Sequence, residues 1–211
     1  MTQSGSPAVA ELLNLAGQSV LVTGASGNIG RGIAARLSEA GARVIVHYRS
    51  DADAAESLAA ILTDAIIVQA DLTVASDVDA LFATASPDLV VNNAALQPVQ
   101  ALGDMSIADW RLVQQSNLDS AFLVTQRAAL AWQAAGTAGA IVNIASIEGL
   151  DPAAGHGHYA TSKAAVLMFT RAAALEFGSA GVRVNAVSPG LIDREGLARD
   201  WPDGVMRWHD R

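Results

Sequence analysis

Short, continuous apolar runs recur along this chain, separated by stretches whose apolar positions repeat at helical spacing. The runs Ser19–Thr23, Arg43–His47, Ile66–Val68, Asp88–Val91, Ala140–Ile144 and Val182–Val187 are rich in valine and isoleucine and have strand length. After the first, Ile29, Ile33, Ala34, Leu37 and Ala40 mark one helix face that ends at Gly41. Further helices are predicted over Asp53–Leu62, over Ser76–Ala85 with Ser76 as N-cap, over Ser106 to about Ala135, and over Tyr159–Phe177. Strands without polar alternation, each followed by a helix, predict an α/β chain: a doubly wound parallel sheet covered on both faces. Residues 1–14, with Ser, Gly and Pro before a short Ala/Leu turn, read as a flexible leader to one domain over 15–211.

In such a sheet, ligands bind beyond the C-terminal strand ends, where the strand order reverses. The unusual polar clusters all follow strands: Gly24–Gly30, His47–Ser50, Asp71, Asn92–Ala95, Ser146 and Ser188–Gly190. They are expected to face one crevice. Gly24-Ala25-Ser26-Gly27-Asn28-Ile29-Gly30 lies between strand and helix, so its glycines let the backbone approach a pyrophosphate while first-turn N–H groups face the anion. A glycine turn that merely links two elements is the plainer alternative, and the flanking strand and helix favour the phosphate cradle.

Composition narrows the chemistry. Among 211 residues the formal net charge is −8, and no run of basic residues offers a surface for nucleic acid or anionic membrane. Without cysteine there is neither disulfide nor thiolate chemistry. The uncharged stretch Ala128–Ile147 is broken by Gln133, Gly136, Thr137, Gly139 and Asn143 and does not read as a membrane span, so a cytoplasmic protein is expected. Of thirteen basic residues twelve are arginine, and the one lysine, Lys163, follows Tyr159 by four positions. That spacing puts phenol and ammonium on one helix face, where a cation favours the phenolate and makes a proton donor usable near neutrality. His156 and His158 flank the tyrosine, but no third ligand at metal-binding spacing is visible. They read as loop histidines near a substrate mouth. Trp201 and Trp208 are candidates either for a lid or for covering the core.

With these residues in view, the chain from about Gln18 to Ile192 resembles the short-chain dehydrogenase/reductase family. Tyr159 and Lys163 match its tyrosine and lysine, Ser146 its serine, Asn117 its helix asparagine, Asn92-Asn93-Ala94-Ala95 its fourth-strand motif, and Asn185–Gly190 its Asn-Ala-Val-Ser-Pro-Gly. Asn28 stands where the family's loop usually has its middle glycine, Ala95 replaces the last glycine of the fourth-strand motif, and the family's usual last helix and seventh strand would lie beyond Arg211. The resemblance implies a Rossmann-type sheet of order 3-2-1-4-5-6 and hydride transfer between a nicotinamide cofactor and a carbonyl or secondary alcohol. Ser146 would polarise the carbonyl, Tyr159 deliver the proton, Lys163 bind the ribose, and Asn117 anchor a water that refills the relay. The cradle would be Gly24, Ser26, Asn28, Ile29 and Gly30, with Asp71 and Leu72 at the adenine, and Asn93, Ala94, Pro189, Gly190 and Ile192 completing the cofactor site.

An acidic residue usually ends the second strand where the cofactor lacks a 2′-phosphate. Here Arg49-Ser50 stands there, with Asp51 adjacent, which favours NADP(H) over NAD(H). The resemblance also implies pairing of helices 106–135 and 159–177 with a second copy, through Ala121, Phe122, Ala128 and Ala129 on one and Ala165, Met168, Ala172 and Leu175 on the other. A homodimer is expected, the tetramer contact of many relatives being built on the seventh strand. A dinucleotide-binding regulator without turnover, or an inactive partner subunit, is the alternative; a broken catalytic set would mark it, and all four positions are filled.

Overall fold

The computed structural model describes residues 13–193 and 196–209, so most of the expected leader lies outside the described residues. Six strands, β1 (Ser19–Val22), β2 (Arg43–Tyr48), β3 (Ala65–Gln69), β4 (Leu89–Asn92), β5 (Gly139–Ile144) and β6 (Val182–Val187), form one sheet of order β3-β2-β1-β4-β5-β6. Every pairing is parallel, with Val20 beside both Val44 and Leu89, and Ile141 beside both Val90 and Val184. The order reverses between β1 and β4, as expected for a doubly wound sheet.

Alternate side chains of each strand point to opposite faces, and both faces are buried. Val20, Val22, Val44 and Val46 pack with Ala34 of helix α1 (Asn28–Glu39) and with Ala55 and Leu58 of α2 (Ala52–Ala59). Leu21, Ile45, Val90 and Ile141 face the other way. They pack with Val78 and Leu81 of α3 (Ala75–Thr84), with Val124, Ala128 and Trp132 further along, and with Ala173.

The helix predicted over 106–135 is two helices joined by a π turn. A capping box starts the first, α4 (Ile107–Gln114): the Ser106 hydroxyl accepts from Asp109 N–H, and the Asp109 carboxylate accepts from Ser106 N–H. Gln115–Asp119 then adopts π geometry before α5 (Ser120–Ala135), which ends on left-handed Gly136. Helix α6 (Gly157–Phe177) crosses behind β5 and β6, and two short helices follow, α7 (Leu197–Asp200) and α8 (Pro202–His209).

Two predicted starts shift. The Asp51 carboxylate accepts from Ala54 N–H, so α2 begins at Ala52 and has ended by Ala59 rather than Leu62. Helix α3 is not capped by Ser76. Asp71 Oδ1 accepts from Thr73 N–H and Oγ1–H, forming a turn that brings Val74 into the N-cap position, two residues before Ser76. The expected second apolar stripe also divides. Ala121, Ala128 and Ala129 belong to the core, whereas Phe122, Met168 and Leu175 are exposed.

Between β4, β5 and the two long helices runs a buried polar seam. Asn92 Nδ2 donates to Thr125 Oγ1 and Asn143 Oδ1, and Asn143 Nδ2 donates to Thr170 Oγ1. Each of these side chains is buried, so the bonds fix the relative slide of sheet and helices where apolar packing alone would leave it free.

Candidate active site

All the polar clusters singled out above do meet at the C-terminal strand ends, around one cavity of about 770 Å³. At its centre the chain turns sharply after β1 with Gly24 at φ +60°, and the helix α1 starts at Gly27 without a side-chain cap. The first helical hydrogen bond runs from Arg31 N–H to Gly27 carbonyl, so the N–H groups of Asn28, Ile29 and Gly30 precede it. A Cβ added to Gly30 would lie 2.3 Å from the Gly24 carbonyl oxygen and 2.8 Å from Asn93 Nδ2. Only glycine permits this closeness. Ser26, Gly27, Asn28 and Ile29 face the cavity, whereas Gly30 forms the packed floor beneath it.

Three side chains hold the turn. Thr23 Oγ1 accepts from the backbone N–H groups of Asn93 and Ala94. Asn93 Nδ2 donates to the carbonyls of Thr23 and Gly24. His47 Nδ1 accepts from Gly24 N–H while its Nε2–H donates to the Ala70 carbonyl. Burial pushes the His47 pKa down, so the neutral tautomer that this geometry requires is the stable one. His47 therefore ties the ends of β2, β3 and the glycine turn together from the cavity wall. Arg49, Ser50 and Asp51 line the outer end of the cavity, with Asp51 also serving as the α2 cap. Asp71 and Leu72 line it as well; Thr73 hydrogen bonds, and less strongly the Arg49 charge, hold the Asp71 carboxyl below its usual range.

Ser146 follows β5, and Tyr159 and Lys163 project from the start of α6; all three are buried and line the cavity. Ser146 lies beside the Tyr159 phenol, and its hydroxyl oxygen accepts from Glu148 N–H at 3.1 Å. The lysine does not pull the phenol down in this arrangement. Burial raises the Tyr159 pKa, against the lowering effect of the nearby Ser146 hydroxyl, and the Glu148 carboxylate adds to the rise. Lys163 Nζ lies 5.7 Å from the Tyr159 ring centroid and donates to the Ile144 carbonyl at 2.7 Å. Its own pKa is lowered to about 8 by burial.

Asn117 stands in the π turn, outside the cavity wall. Its Oδ1 accepts from Leu96 N–H, and its two amide hydrogens go to the Leu96 carbonyl and Ser162 Oγ. Gly190 and Ile192 line the cavity, and the Pro189 carbonyl accepts from Ile147 N–H.

The two histidines part ways. His158 is fully buried, its Nδ1 accepting from Tyr159 N–H, with burial and then the neighbouring His156 lowering its pKa. It belongs to the core, not the mouth. His156 lines the cavity beside Trp201, and its Nδ1 pairs with both oxygens of the Glu148 carboxylate. Glu148 was not legible as a site residue, although its place two residues after Ser146 was a usable signal. The Trp208 side chain lies outside the described residues. Among the described residues no helix is long and apolar enough to cross a membrane.

A reversal of strand order, a glycine turn that opens helix N–H groups, and a buried serine–tyrosine contact on one cavity define the class of Rossmann-type oxidoreductases that bind dinucleotides. The family model described as short chain dehydrogenase matches residues 18–203. The chain is similar to a 3-oxoacyl-[acyl-carrier-protein] reductase of Synechocystis, 37% identical over 187 residues, covering 84% of this chain and 75% of that protein. It is also similar to the 3beta-hydroxysteroid dehydrogenase 1 of Eggerthella lenta, 34% identical, covering 92% of this chain and 78% of that one. A solved short-chain type dehydrogenase/reductase from Mycobacterium marinum superposes with a TM-score of 0.83 at 35% identity, covering 87% of this chain and 78% of its own. The chain belongs to the short-chain dehydrogenase/reductase family, whose members bind NAD(P)(H) and transfer hydride to and from small molecules.

A buried ammonium has a measurable cost. Lowering Lys163 from 10.5 to about 8 corresponds to about 3 kcal/mol against the charged form. Between these pH values the unfolded chain holds a proton that the folded chain lacks, so stability rises with pH there, and at pH 7 the whole cost is present. Allowing about 1 kcal/mol for the lost bond to Ile144, Lys163→Met is expected to stabilise the protein at pH 7 by about 2 kcal/mol. It should also flatten the rise above pH 8. Urea unfolding of both proteins across that range checks both effects, and a less stable variant at pH 7 would contradict the account.

Proposed function

We propose that the protein interconverts a carbonyl and a secondary alcohol with NADP(H), Tyr159 moving the proton. The observation that carries this reading is the placing of the buried Tyr159 and Ser146 side by side on the wall of a cavity that also contains the glycine cradle. The residues fit a dinucleotide on two counts. A Cβ at Gly30 would fill the cradle floor, and among the described residues the Lys163 ammonium has one carbonyl partner where ribose hydroxyls could satisfy its other hydrogens.

Gly24, Ser26, Asn28 and Ile29 would hold the pyrophosphate, Asp71 and Leu72 the adenine, and Asn93, Ala94, Pro189, Gly190 and Ile192 the inner ribose and nicotinamide. When bound, the nicotinamide supplies or accepts the hydride. Ser146 holds the carbonyl oxygen of the substrate and polarises it, and Tyr159 O–H gives that oxygen its proton. Burial keeps the phenol protonated until the substrate needs it. Lys163, once turned from Ile144 toward ribose and phenol, opposes that rise and eases release. Asn117 acts by position: with both amide hydrogens spent, it holds the Leu96 segment against α6. Tyr159→Phe keeps the ring packing and removes the proton. Cofactor affinity should stay within about twofold and turnover on an accepted ketone should fall by about 10²-fold or more. Fluorescence titration and steady-state rates read the two separately, and near-normal turnover would sink the mechanism.

The NADP(H) preference rests on the exposed Arg49 and Ser50 at the cavity's outer end, and on Asp51 being engaged as the α2 cap. A charge-assisted bond to a 2′-phosphate is worth about 1.5–3 kcal/mol. Arg49→Ala is then expected to weaken NADP(H) binding about 10- to 100-fold and leave NAD(H) nearly unchanged. Equal losses for both would mean that Arg49 only supports the loop.

We also propose a homodimer through α4, α5 and α6, supported by the exposed apolar side chains Leu112, Phe122, Leu130, Met168 and Leu175 on these helices. Light scattering across a concentration series should give twice the chain mass, and a monomer at micromolar protein defeats it.

A further inference from the structure

The substrate end of the cavity holds a polar pair that the proposed proton transfer does not use. Glu148 and His156 are both buried, and the carboxylate accepts from the His156 Nδ1–H at 2.9 and 3.0 Å. The carboxylate is held in turn, with Gln97 Nε2 donating to its Oε1 at 3.3 Å. The imidazole is wedged between two rings, 4.9 Å from the Trp201 centroid and 5.9 Å from the Tyr159 centroid. It cannot swing away without losing the carboxylate. This leaves Nε2 buried and, among the described residues, without a hydrogen-bond partner. The Nε2 of His158 is in the same condition in the core, but of the two histidines it is His156 that lines the cavity, where a ligand can supply the partner that the chain does not.

What that partner can be follows from the pair. With Nδ1–H spent on Glu148, the neutral ring offers a lone pair at Nε2 and the protonated ring offers an N–H. A hydroxyl answers either state, because it both donates and accepts. A carboxylate answers only the protonated ring, and meets the Glu148 charge behind it. Leu96, Val99, Ile147, Leu191 and Leu197 line the same cavity, so the rest of the ligand meets largely apolar side chains. His156 and the Tyr159 ring are neighbours on this wall, so a hydroxyl held by His156 belongs to the same ligand that meets Tyr159.

We propose that His156, positioned by Glu148, is a specificity-determining residue that binds a second hydroxyl of the substrate, so that the preferred pair is a hydroxy ketone and the corresponding diol. The inference rests on the carbonyl–alcohol reading above and extends it from reaction type to substrate class. It involves no chemistry beyond the hydride and proton already assigned. His156 selects, and Glu148 acts through His156.

The test compares hydroxycyclohexanone with cyclohexanone as substrates for the NADPH-loaded protein, and vicinal cyclohexanediol with cyclohexanol as ligands of the NADP⁺-loaded protein by calorimetry. The wild-type protein should favour the hydroxylated member by about tenfold or more in kcat/KM and in affinity, since a site built for a hydroxyl discriminates against its absence. His156→Phe keeps the ring between Trp201 and Tyr159, removes Nε2, and should bring both ratios to about one. Glu148→Gln should lower them part of the way. Because His156→Phe strands a buried carboxylate, the paired replacement Glu148→Met with His156→Phe serves as the folding-safe variant and should also give ratios of about one. A wild-type ratio near one, or ratios that survive in the folded His156 variants, overturns the inference. If the loaded protein turns over neither ketone, the reading as a carbonyl reductase falls, while the calorimetric ratio still decides whether His156 binds the hydroxyl.

Discussion

The end of β1 is tied to the end of β4 by a hydroxyl and an amide. Thr23 Oγ1 receives two backbone N–H groups from the β4 side, and Asn93 Nδ2 gives both its hydrogens to the β1 side. Strand order reverses between these two strands, so the chain departs from them in opposite directions and leaves backbone groups that the sheet ladder cannot satisfy. Without the tie, Gly24 could not be held in its left-handed turn against Ala94, and α1 would not present its open end to the cavity. His47 extends the same logic outward to β2 and β3. Everything polar in the cavity is referred to this fixed corner.

Around that corner the protein accepts unfavourable electrostatics. A lysine is buried with one carbonyl for company, and a phenol is buried with its proton held more tightly than in water. Neither arrangement stabilises the fold. Both leave groups whose solvation is incomplete and which gain from a polar ligand, as preorganised sites do. The apolar sheet, buried on both faces, carries this cost, and the Asn92–Asn143–Thr170 seam keeps sheet and helices in one register while it does.

The sheet was legible because parallel strands buried on both faces have few polar residues, so their runs stand out as blocks, as in Val44-Ile45-Val46. Helix starts were less legible. Those of α2 and α3 are set by carboxylates at Asp51 and Asp71 that bond the backbone just ahead, and several nearby Asp and Ser residues could have done so equally well. Ser146 was legible as a strand-end residue and Tyr159 and Lys163 as a pair on one helix face, while the roles expected of them came from the family resemblance. His47 and the Glu148–His156 pair were not legible as such, since their roles depend on partners in other loops or strands and on side-chain rotation. His158 and His156 differ by two positions on one helix start, yet one faces the core and the other the cavity.

The π turn at Gln115–Asp119 bears on how this chain can change. Relative to a regular α-helix, a π turn accommodates one additional residue, which in regular α geometry would rotate everything beyond it by about 100°. By widening one turn, the π geometry absorbs that residue, so α4 and α5 keep the phase of an uninterrupted helix and the extra length appears as a local bulge. Asn117 sits in that bulge, bonded to Leu96 and Ser162. Deleting one residue there would restore regular α turns and leave the core-facing side of α5 on the sheet, while carrying Asn117 off Leu96 and Ser162. The helix can thus lose a residue and still pack, and what goes with it is the hold on the Leu96 segment.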